Sequence, residues 1–480
     1  MPTLDANATD FDLIILGGGP AGYSAAIKGS LQGFRVALVE QGRIGGACIN
    51  RGCIPTKALW GTAVALQRLK DLKAHGIKSS GKFSFDFAVA SKRQFEIMDE
   101  MVSTIRARMI KLGVRIFSAR GTISKHDPTS KAANFTVALE SDDKTAHSLT
   151  SRFVLVATGS RPAESPVLIA DHKLVVTTDD IVLFEKLPKR LAIVGGGVVA
   201  CEFASILNKF GVKVHLLEHS SQVLSAMDQE VVSKLMEYFD EDGVKVLTNT
   251  KVQILAKLRS GIKLTLDTNG THSDLTVDCV LLAIGRKPNS EHLGLETVGA
   301  QVSPRGHILV DEKNETRCRG LYAAGDVVGG QTLAHKAWYD AIIALRAMSG
   351  EECRTNYDTV PGAIFTIPEM AAVGLQPDQA RQRGLKVSIG KFEYAENAQA
   401  MCTGKIRGMV KAVIERDTGK VVGCTILGHD ASNLISEVAL AMHAGLTAKD
   451  IGDTIHPHPT LSEMVWESFL DTQGLSVHKK

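Results

Sequence analysis

The chain has 480 residues, more than one hydrophobic core normally serves, so we expect about three domains. Its 55 basic and 52 acidic side chains leave a net charge of +3, which provides no electrostatic basis for binding nucleic acid or a membrane surface. No apolar run in the sequence is long enough to cross a bilayer.

The first ten residues, MPTLDANATD, have neither the basic region nor the apolar core of a secretory signal. We interpret them as a short frayed lead-in to a cytoplasmic protein. This location bears on the cysteines, because in a reducing cytosol a close cysteine pair is more often catalytic than structural.

The first predicted element is a strand, FDLIIL (11–16), whose continuous apolar run is typical of a central parallel strand. A glycine turn follows, in which Gly17, Gly19 and Gly22 fit the pattern G-x-G-x-x-G. A helix comes next, and then a second strand, RVALVE, which ends in Glu40. This order predicts a dinucleotide site, in which the turn approaches a pyrophosphate and the acid accepts hydrogen bonds from a ribose.

The segment GGACINRGCIPTK places Cys48 and Cys53 five positions apart. Two cysteines are too few for a tetrahedral zinc site, and the other cysteines are scattered without paired spacing. A disulfide across so short a loop would constrain little chain entropy. The residues alone therefore leave a metal, a structural and a redox role open.

A second dinucleotide pattern occurs in RLAIVGGGVVACEFASILNKFGVKVHLLE. Gly195 and Gly197 repeat the turn, Ala200 replaces the third glycine, and Glu218 ends the following strand. The first glycine and the terminal acid are 23 residues apart in both patterns. The chain is therefore predicted to bind two dinucleotides, or one in each of two related domains.

Glu218 also indicates which nicotinamide cofactor is used. A carboxylate at this position bonds a free 2′-hydroxyl but repels a 2′-phosphate. No arginine that could receive such a phosphate occurs from His219 to Leu258. The sequence therefore favours NAD over NADP.

Two similar segments, RFVLVATGSRP (152–162) and CVLLAIGRKPN (279–289), bracket the second pattern, as expected of two crossings between a domain and one inserted into it. A third strand-to-turn segment, GLYAAGDVVGG, carries Asp326, whose carboxylate could meet the ribityl hydroxyls of a flavin. From about Tyr357, the strand candidates GMVKAVIE and VVGCTILG predict an antiparallel sheet, and helices are expected from Ser432 onward. These elements indicate a final α+β domain.

The glycine patterns, the C-x4-C pair, the two crossings, Gly325-Asp326 and the C-terminal segment HPHPTLSE together resemble the pyridine nucleotide–disulfide oxidoreductases, and within them the dihydrolipoyl dehydrogenases of 2-oxoacid dehydrogenase complexes. The resemblance runs from about residue 11 to the C-terminus. It implies an α/β fold with two Rossmann-like dinucleotide-binding domains, for FAD and NAD, and a C-terminal α+β dimerisation domain. The implied bounds are 1–157 for the FAD domain with its redox disulfide, 158–285 for the NAD domain, 286–356 for a central domain that returns to the FAD domain, and 357–480 for the dimerisation domain.

The resemblance assigns Cys48 and Cys53 to a redox disulfide beside FAD. Cys48 would exchange with the substrate and Cys53 with the flavin. Because both roles need a thiolate, we expect a cationic or helix-N-terminal setting that lowers the thiol pKa. Lys57 matches the family lysine near the reactive edge of the flavin, and Glu202 matches its usual ion-pair partner.

In IHPHPTLSE, His458 and Glu463 match the His–Glu pair of the family, in which the carboxylate orients the imidazole that acts as base. His456 is a neighbour with no matching role. The dimerisation domain donates this pair, so the resemblance implies a homodimer in which the cysteines of one subunit meet His458 of the other.

The resemblance implies no metal ligand. Its cofactor contacts are, for FAD, Gly17, Gly19, Gly22, Glu40, Gly46, Lys57, Gly121, Gly159, Asp326 and Ala334, and, for NAD, Gly195, Gly197, Glu202, Glu218, Val252 and Gly285.

Within the family, Glu218 argues against the NADPH-dependent glutathione reductases, and the lack of cysteines after Cys424 argues against mercuric and large thioredoxin reductases. The predicted activity is oxidation of protein-bound dihydrolipoamide with reduction of NAD+ to NADH, on a lipoyl domain of a 2-oxoacid dehydrogenase or glycine cleavage complex. The alternatives are an NAD(P)H-dependent reductase of another disulfide, similar to glutathione reductase, and a non-catalytic dinucleotide-binding protein.

Arg51, between the cysteines, departs from the usual pattern of the family and could touch substrate or face solvent.

Overall fold

A computed structural model describes residues 9–78, 81, 83–127, 129, 134–141, 146–258 and 261–480. Most of the lead-in predicted from the first ten residues lies outside this described part. The chain divides into two compact units. Unit 1 takes its described residues from Met1–Ala58, Ala88–Ala163 and Gly285–Thr355, and unit 2 takes them from Leu59–Phe87, Glu164–Ile284 and Asn356–Lys480. Within the described residues, no helix combines the length and apolar character needed to span a bilayer.

The α-helices are α1 Pro20–Leu31, α2 Gly46–Asn50, α3 Cys53–Asp71, α4 Phe87–Lys111, α5 Thr178–Ile181, α6 Val198–Lys209, α7 Gln229–Glu241, α8 Ala334–Met348, α9 Pro377–Gln382, α10 Ala398–Thr403, α11 Ala431–His443, α12 Ala448–Gly452 and α13 Glu463–Asp471.

The strands of unit 1 are β1 Phe11–Leu16, β2 Val36–Glu40, β3 Arg115–Ser118, β4 Arg120–His126, β5 Phe135–Glu140, β6 Ala146–Val156, β7 Ser160–Pro162, β16 Arg286–Pro288 and β17 Leu321–Ala323. Those of unit 2 are β8 Val175–Thr177, β9 Arg190–Val194, β10 Lys213–Leu217, β11 Lys245–Leu247, β12 Thr250–Leu258, β13 Gly261–Thr268, β14 Thr271–Val277, β15 Cys279–Leu282, β18 Gly362–Ile364, β19 Glu369–Gly374, β20 Val387–Glu393, β21 Met409–Glu415 and β22 Val421–Gly428.

The main sheet of unit 1 has the order β3-β2-β1-β6-β5-β4, with β17 also paired to β6. The first half of β6 pairs antiparallel with β5, and its second half lies parallel between β1 and β17. Both faces of β1 are covered, since Leu13 and Ile15 belong to one buried cluster and Ile14 to another. This burial explains the continuous apolar run, and it confirms the strand predicted at FDLIIL.

Unit 2 contains a parallel sheet of order β11-β10-β9-β15-β8. On one face, Leu191 and Ile193 pack in a cluster with α6 and α7. On the other face, Ala192 packs in a cluster with residues of the antiparallel sheet β12-β13-β14. No prediction was made for this antiparallel sheet, although the alternation of buried Ile262, Leu264 and Leu266 with less buried residues along β13 is typical of a half-buried strand. The second strand–turn–helix–strand pattern is confirmed as β9, α6 and β10.

The C-terminal part of unit 2 is built on an antiparallel sheet of order β18-β19-β22-β21-β20. The strands predicted at GMVKAVIE and VVGCTILG are confirmed as β21 and β22, which pair antiparallel. Helices α11 and α13 contribute to the buried cluster that covers this sheet. The predicted α/β class with a C-terminal α+β part is therefore confirmed.

Candidate active site

The first glycine turn, between β1 and α1, has no side chains at its glycine positions, so a ligand can approach its backbone closely. Gly17 has φ 105°, and a Cβ added at Gly22 would lie 1.8 Å from the carbonyl oxygen of Gly17. Only glycine fits both positions. Helix α1 begins with Gly19 as N-cap and Pro20 as its first residue, and no side chain caps it. The free N–H groups of a helix N-terminus suit a phosphate, so this turn fits the pyrophosphate of FAD.

Glu40 is held beside this turn by two backbone hydrogen bonds. Its Oε2 accepts from Gly18 N–H at 2.6 Å, and its Oε1 accepts from Gly42 N–H at 2.7 Å. A Cβ added at Gly46 would lie 2.6 Å from the Cα of Gly19, so this glycine packs directly against the turn. Gly121 lies in β4, where an added Cβ would lie 2.6 Å from the side chain of Leu16. The absence of a side chain at Gly121 therefore allows the sheet to pack here.

The cysteine pair lies on two consecutive helices. Cys48 lies inside α2, and Cys53 is the first residue of α3. The two side chains are hydrogen-bonded to each other. Between them, the Nδ2 atom of Asn50 donates to the carbonyl oxygens of Ile44 and Gly46, both at 3.0 Å. Asn50 therefore holds this loop in place, a role that the sequence did not indicate.

The groups around Cys48 act on its thiol pKa in both directions, with a net rise where a lowering was expected. The hydrogen bond with Cys53, then burial, then the charge of Cys53 raise the pKa of the Cys48 thiol. The positive charge of Lys57 acts in the opposite direction and lowers it. The prediction of a cationic neighbour was correct, but two thiols that share a partly buried site cannot both ionise easily.

Asp326 lies in a 3₁₀ turn, Gly325–Val328, and is held by partners that the sequence did not indicate. Ser160 Oγ donates to its Oδ2 at 2.5 Å, and Arg286 Nε donates to Ser160 Oγ at 2.7 Å. Ser160 and Arg286 come from the two crossing segments, on the paired strands β7 and β16. The neighbouring Gly159 and Gly285 have φ 67° and φ 119°, and nothing lies within 4 Å of a Cβ added at either.

The turn that carries Asp326 is fixed by a buried ion pair. Asp340 Oδ2 accepts from the N–H of Gly325 at 3.0 Å and from Lys336 Nζ at 2.6 Å. Both charged side chains are almost fully buried on α8, whose first residue is Ala334. The carboxylate of Asp326, the bare glycine turn and the N-terminus of α8 together fit a flavin dinucleotide.

The second glycine turn, in unit 2, repeats the first. A Cβ added at Gly195 would lie 2.4 Å from the carbonyl oxygen of Ala283, whereas nothing lies within 4 Å of one added at Gly197. Gly197 is the uncapped N-cap of α6, and Ala200 is fully buried in that helix. The third glycine can therefore be replaced here. The turn offers bare N–H groups to a second pyrophosphate.

Glu218 is held next to this second turn. Its Oε1 accepts from Ser220 N–H at 2.6 Å, and a Cβ added at Gly196 would lie 2.7 Å from its Oε2. Val252, assigned to NAD by resemblance, lies on β12 and is half-buried. Glu202 is buried on α6, and its Oε1 accepts from Phe365 N–H at 2.9 Å. The ion pair of Glu202 with Lys57 stays a prediction.

His458 and Glu463 lie together in unit 2. His458 Nδ1 is 2.9 Å from Glu463 Oε1, and Glu463 Oε2 accepts from Thr460 N–H at 2.7 Å. The His458 side chain is 68% exposed, whereas that of Glu463 is 15% exposed. The carboxylate therefore holds Nδ1 as the donor, and Nε2, which makes no hydrogen bond to a described residue, is left as the basic atom.

Three possible metal ligands also lie together in unit 2. Atoms of Glu369, His429 and Asp430 are within 4.8 Å of one another. Glu369 Oε2, however, accepts from Ser432 N–H at 3.0 Å in the first turn of α11. A helix N-terminus stabilises carboxylates and repels cations, so this group is accounted for by helix capping.

Two family models match the chain. The model described as pyridine nucleotide-disulphide oxidoreductase matches residues 11–341, and the model for the dimerisation domain of that family matches residues 360–469. A dihydrolipoyl dehydrogenase of Bacillus subtilis is 34% identical and covers 98% of this chain and 100% of its own length. A dihydrolipoyl dehydrogenase of Geobacillus stearothermophilus is 33% identical, with 98% of each chain covered.

Solved structures agree with these matches. The crystal structure of LpdA from Mycobacterium tuberculosis has a TM-score of 0.88 and 28% identity, and it covers 95% of this chain and 99% of its own. The HOCl-induced flavoprotein disulfide reductase RclA from Escherichia coli has a TM-score of 0.83 and 26% identity, with 95% and 99% covered.

Proposed function

Because the chain belongs to the pyridine nucleotide–disulphide oxidoreductase family, we propose that it oxidises protein-bound dihydrolipoamide to lipoamide and reduces NAD+ to NADH. It is an oxidoreductase that uses FAD and NAD. The observation that carries the substrate assignment is the near-complete mutual coverage with relatives named dihydrolipoyl dehydrogenase, on a chain that has Cys48 hydrogen-bonded to Cys53.

The FAD site consists of the glycine turn at Gly17–Gly22, Glu40 and Asp326. The turn offers N–H groups to the pyrophosphate, Glu40 accepts from the adenosine ribose, and Asp326 accepts from the ribityl chain. FAD, when bound, supplies the two-electron chemistry that links the cysteine pair to NAD+. We expect a yellow protein with one FAD per chain, and a folded but colourless preparation that takes up no FAD would contradict this assignment.

The disulfide form of Cys48 and Cys53 accepts two electrons from the substrate dithiol. His458 Nε2 removes a proton from one substrate thiol, and the thiolate attacks Cys48 Sγ. The Cys48–Cys53 bond breaks, and Cys53 leaves as a thiolate. The second substrate thiol then displaces Cys48, which closes the lipoamide disulfide and leaves both cysteines reduced. Lys57 stabilises negative charge at this pair, in line with its effect on the pKa of Cys48.

The second turn binds NAD. Gly197 leaves the N-terminus of α6 open to the pyrophosphate, and Glu218 accepts from the adenosine ribose. Glu218 is 6% exposed, so a 2′-phosphate would place its charge beside a poorly solvated carboxylate. NAD is therefore the preferred nicotinamide substrate.

The match of residues 360–469 to a dimerisation domain supports a homodimer. As part of the proposal, the thiol pair of one subunit works with His458 of the other, so a monomer would be inactive. The substrate would arrive on a lipoyl domain of a separate 2-oxoacid dehydrogenase or glycine cleavage component.

The division into four domains, with bounds near 157, 285 and 356, belongs to the same proposal and is testable by limited proteolysis. A cytoplasmic location also belongs to it and is testable by cell fractionation.

An anaerobic assay tests the substrate directly. NAD+ reduction is followed at 340 nm with dihydrolipoamide, beside glutathione disulfide with NADH or NADPH. Rapid NADH formation with dihydrolipoamide and slow glutathione reduction is the expected result. The reverse pattern would contradict the proposal.

A second candidate is an NADH-dependent reductase of another disulfide. The similarity to the Escherichia coli protein described as a flavoprotein disulfide reductase favours keeping it in the test. The same thiols and base would then run in the opposite direction, with the reduced pair attacking an incoming disulfide. Turnover of a disulfide panel with NADH, without oxidation of dihydrolipoamide, would support this candidate.

A further inference from the structure

His456 is held by hydrogen bonds at both ring nitrogens. Its Nδ1 lies 2.9 Å from the carbonyl oxygen of Thr454, and its Nε2 lies 2.8 Å from Oε1 of Glu437 on α11. The His456 side chain is 7% exposed, in contrast to that of His458. Two histidines of one short segment therefore have opposite environments.

The partners of His456 determine its protonation state. A carbonyl oxygen and an ionised carboxylate only accept hydrogen bonds, so each ring nitrogen must carry a proton to make both contacts. An imidazole with both nitrogens protonated is a cation. The pKa of His456 is raised accordingly, first by the hydrogen bond with Glu437, against the effect of burial. A positively charged imidazole, paired with the carboxylate of Glu437, thus lies two residues from His458 in the chain.

Titratable groups face this cation from three elements. Glu437 comes from α11, and Glu463, the first residue of α13, adds a charge that also raises the pKa of His456. Cys424 on β22 is buried, and its thiol pKa is raised by burial and then by the charge of Glu437. Among the described residues, neither Glu437 nor Glu463 forms an ion pair with a lysine or arginine. His456 is therefore the close cation that acts on this cluster.

We propose that Glu437 and His456 form a positioning pair for the catalytic base, which holds the segment 454–460 and keeps the charge of Glu437 balanced near His458. The inference rests on the proposed function, because it concerns the base of the same reaction. Loss of the His456 imidazolium would leave the negative charge of Glu437 unbalanced near this segment, and a nearby negative charge favours the protonated form of an imidazole. A base is most effective when its pKa lies near the working pH, so the balance of charge around the base matters to its rate.

Two substitutions at His456 separate the effect of its charge from the effect of its contact with Glu437. His456→Gln keeps a donor toward Glu437 without the charge, and His456→Ala removes both. In each variant, the acidic limb of the kcat/KM profile, where His458 loses its proton, should move to higher pH. At pH values above that limb, His456→Gln should recover near wild-type kcat, whereas His456→Ala should stay lower by roughly tenfold with KM little changed, as misplacement of a reacting group predicts.

His478→Gln is the matched control. His478 Nδ1 lies 2.6 Å from Oε1 of Glu467 on α13, so it is another histidine–carboxylate pair of the same part of the chain. His478→Gln should leave the pH profile of kcat/KM unchanged. If His478→Gln moved the profile as much as the His456 variants, the effect would be a general one and the proposal would fall.

A second readout does not depend on the substrate. Diethyl pyrocarbonate modifies neutral imidazole, and the pH at which His458 reacts in the holoenzyme can be followed by peptide mass spectrometry. The midpoint should rise in both His456 variants relative to the wild type. An unchanged midpoint overturns the positioning pair, whereas absence of dihydrolipoamide turnover by the wild type overturns only the proposed function.

Discussion

The Nδ1 atom of His458 lies 2.9 Å from Oε1 of Glu463, and the other oxygen of Glu463 accepts from Thr460 N–H at 2.7 Å. Glu463 is the first residue of α13, where a helix N-terminus favours negative charge. One oxygen of the carboxylate is thus held by a backbone N–H group while the other orients the imidazole. These contacts leave Nε2 of His458 as the basic atom.

The first prediction concerns this base. His458→Gln should reduce turnover of dihydrolipoamide by about 10²–10⁴-fold, the typical contribution of a positioned base. Glu463→Gln should reduce it less, because the amide still contacts Nδ1 while its charge is lost. Steady-state rates with dihydrolipoamide and NAD+ provide the measurement. Wild-type turnover in His458→Gln would exclude this residue as the base.

The second prediction separates the two half-reactions. Cys48→Ser should abolish lipoamide turnover, because the disulfide can no longer form, yet NADH oxidation with an artificial one-electron acceptor should persist. Cys402→Ser is the matched control, since Cys402 is exposed on α10 and its loss should change neither activity. Lipoamide turnover that survives in Cys48→Ser would show that this pair is not the conduit.

The third prediction tests the first glycine turn. In Gly22→Ala the added Cβ would lie 1.8 Å from Gly17 O, so the turn must distort. The purified variant should retain little FAD by its visible absorbance and melt at lower temperature. Gly61→Ala is the control, because an added Cβ meets nothing within 4 Å in α3 and should stabilise that helix by about 0.5–1 kcal/mol. Full FAD content in Gly22→Ala would place the cofactor elsewhere.

The fourth prediction concerns the choice between NAD and NADP. Glu218→Ala should raise KM for NAD roughly tenfold or more, since hydrogen bonds to charged groups contribute about 1.5–3 kcal/mol. The same change should improve kcat/KM for NADP, because the repulsion of the 2′-phosphate is removed. Parallel kinetics with both cofactors measure the two effects. Equal kcat/KM for NAD and NADP in the unmodified enzyme would end this explanation.

The fifth prediction is a pH dependence of stability in unit 2. Burial raises the pKa of Asp171, but hydrogen bonds from Lys257 Nζ and from backbone N–H groups, among them that of Leu174 at 2.8 Å, outweigh it and lower the pKa. The stabilisation is therefore fully present above the ordinary aspartate pKa of about 3.9 and is lost as pH falls through the lower folded value.

Asp171→Asn should cost about 1 kcal/mol at pH 7, by analogy with the loss of an aspartate that caps backbone N–H groups. The difference from wild type should shrink below pH 4. Urea unfolding at several pH values measures it. A difference that stays constant across this range would show that the charge of Asp171 has no part in the effect.

The glycine turns and their flanking strands could be predicted from sequence because each depends on adjacent residues. An apolar run such as 11–16 must be buried on both faces, and the positive φ of Gly17 and Gly195 excludes most side chains. The antiparallel strands near the C-terminus were predictable for the same reason. The sheet β12-β13-β14 was not predicted, although the alternating burial along β13 has the period of a half-buried strand.

The partners of the site residues could not be predicted. Ser160 and Arg286 meet Asp326 although 126 residues separate them from each other, and Glu437 meets His456 across 19 residues. The sequence near these residues does not indicate either contact, because it does not show which Ser, Arg or Glu of the chain will lie beside Asp326 or His456 after folding. Asn50 is closer in sequence to its partners, but its role depends on the path of the loop between α2 and the glycine turn.

The sequence by itself determined the fold class and the two glycine turns, because these depend on residue types at fixed short spacings, and the resemblance to a family implied the roles of the thiols and the base. Only the tertiary structure decided which groups surround each titratable side chain. Cys53 and burial raise the pKa of Cys48 while Lys57 lowers it. Thr454 and Glu437 hold the two ring nitrogens of His456, whose pKa is raised. Protonation depends on burial and on the donors and acceptors within a few ångströms, and the folded chain brings those together from distant parts of the sequence.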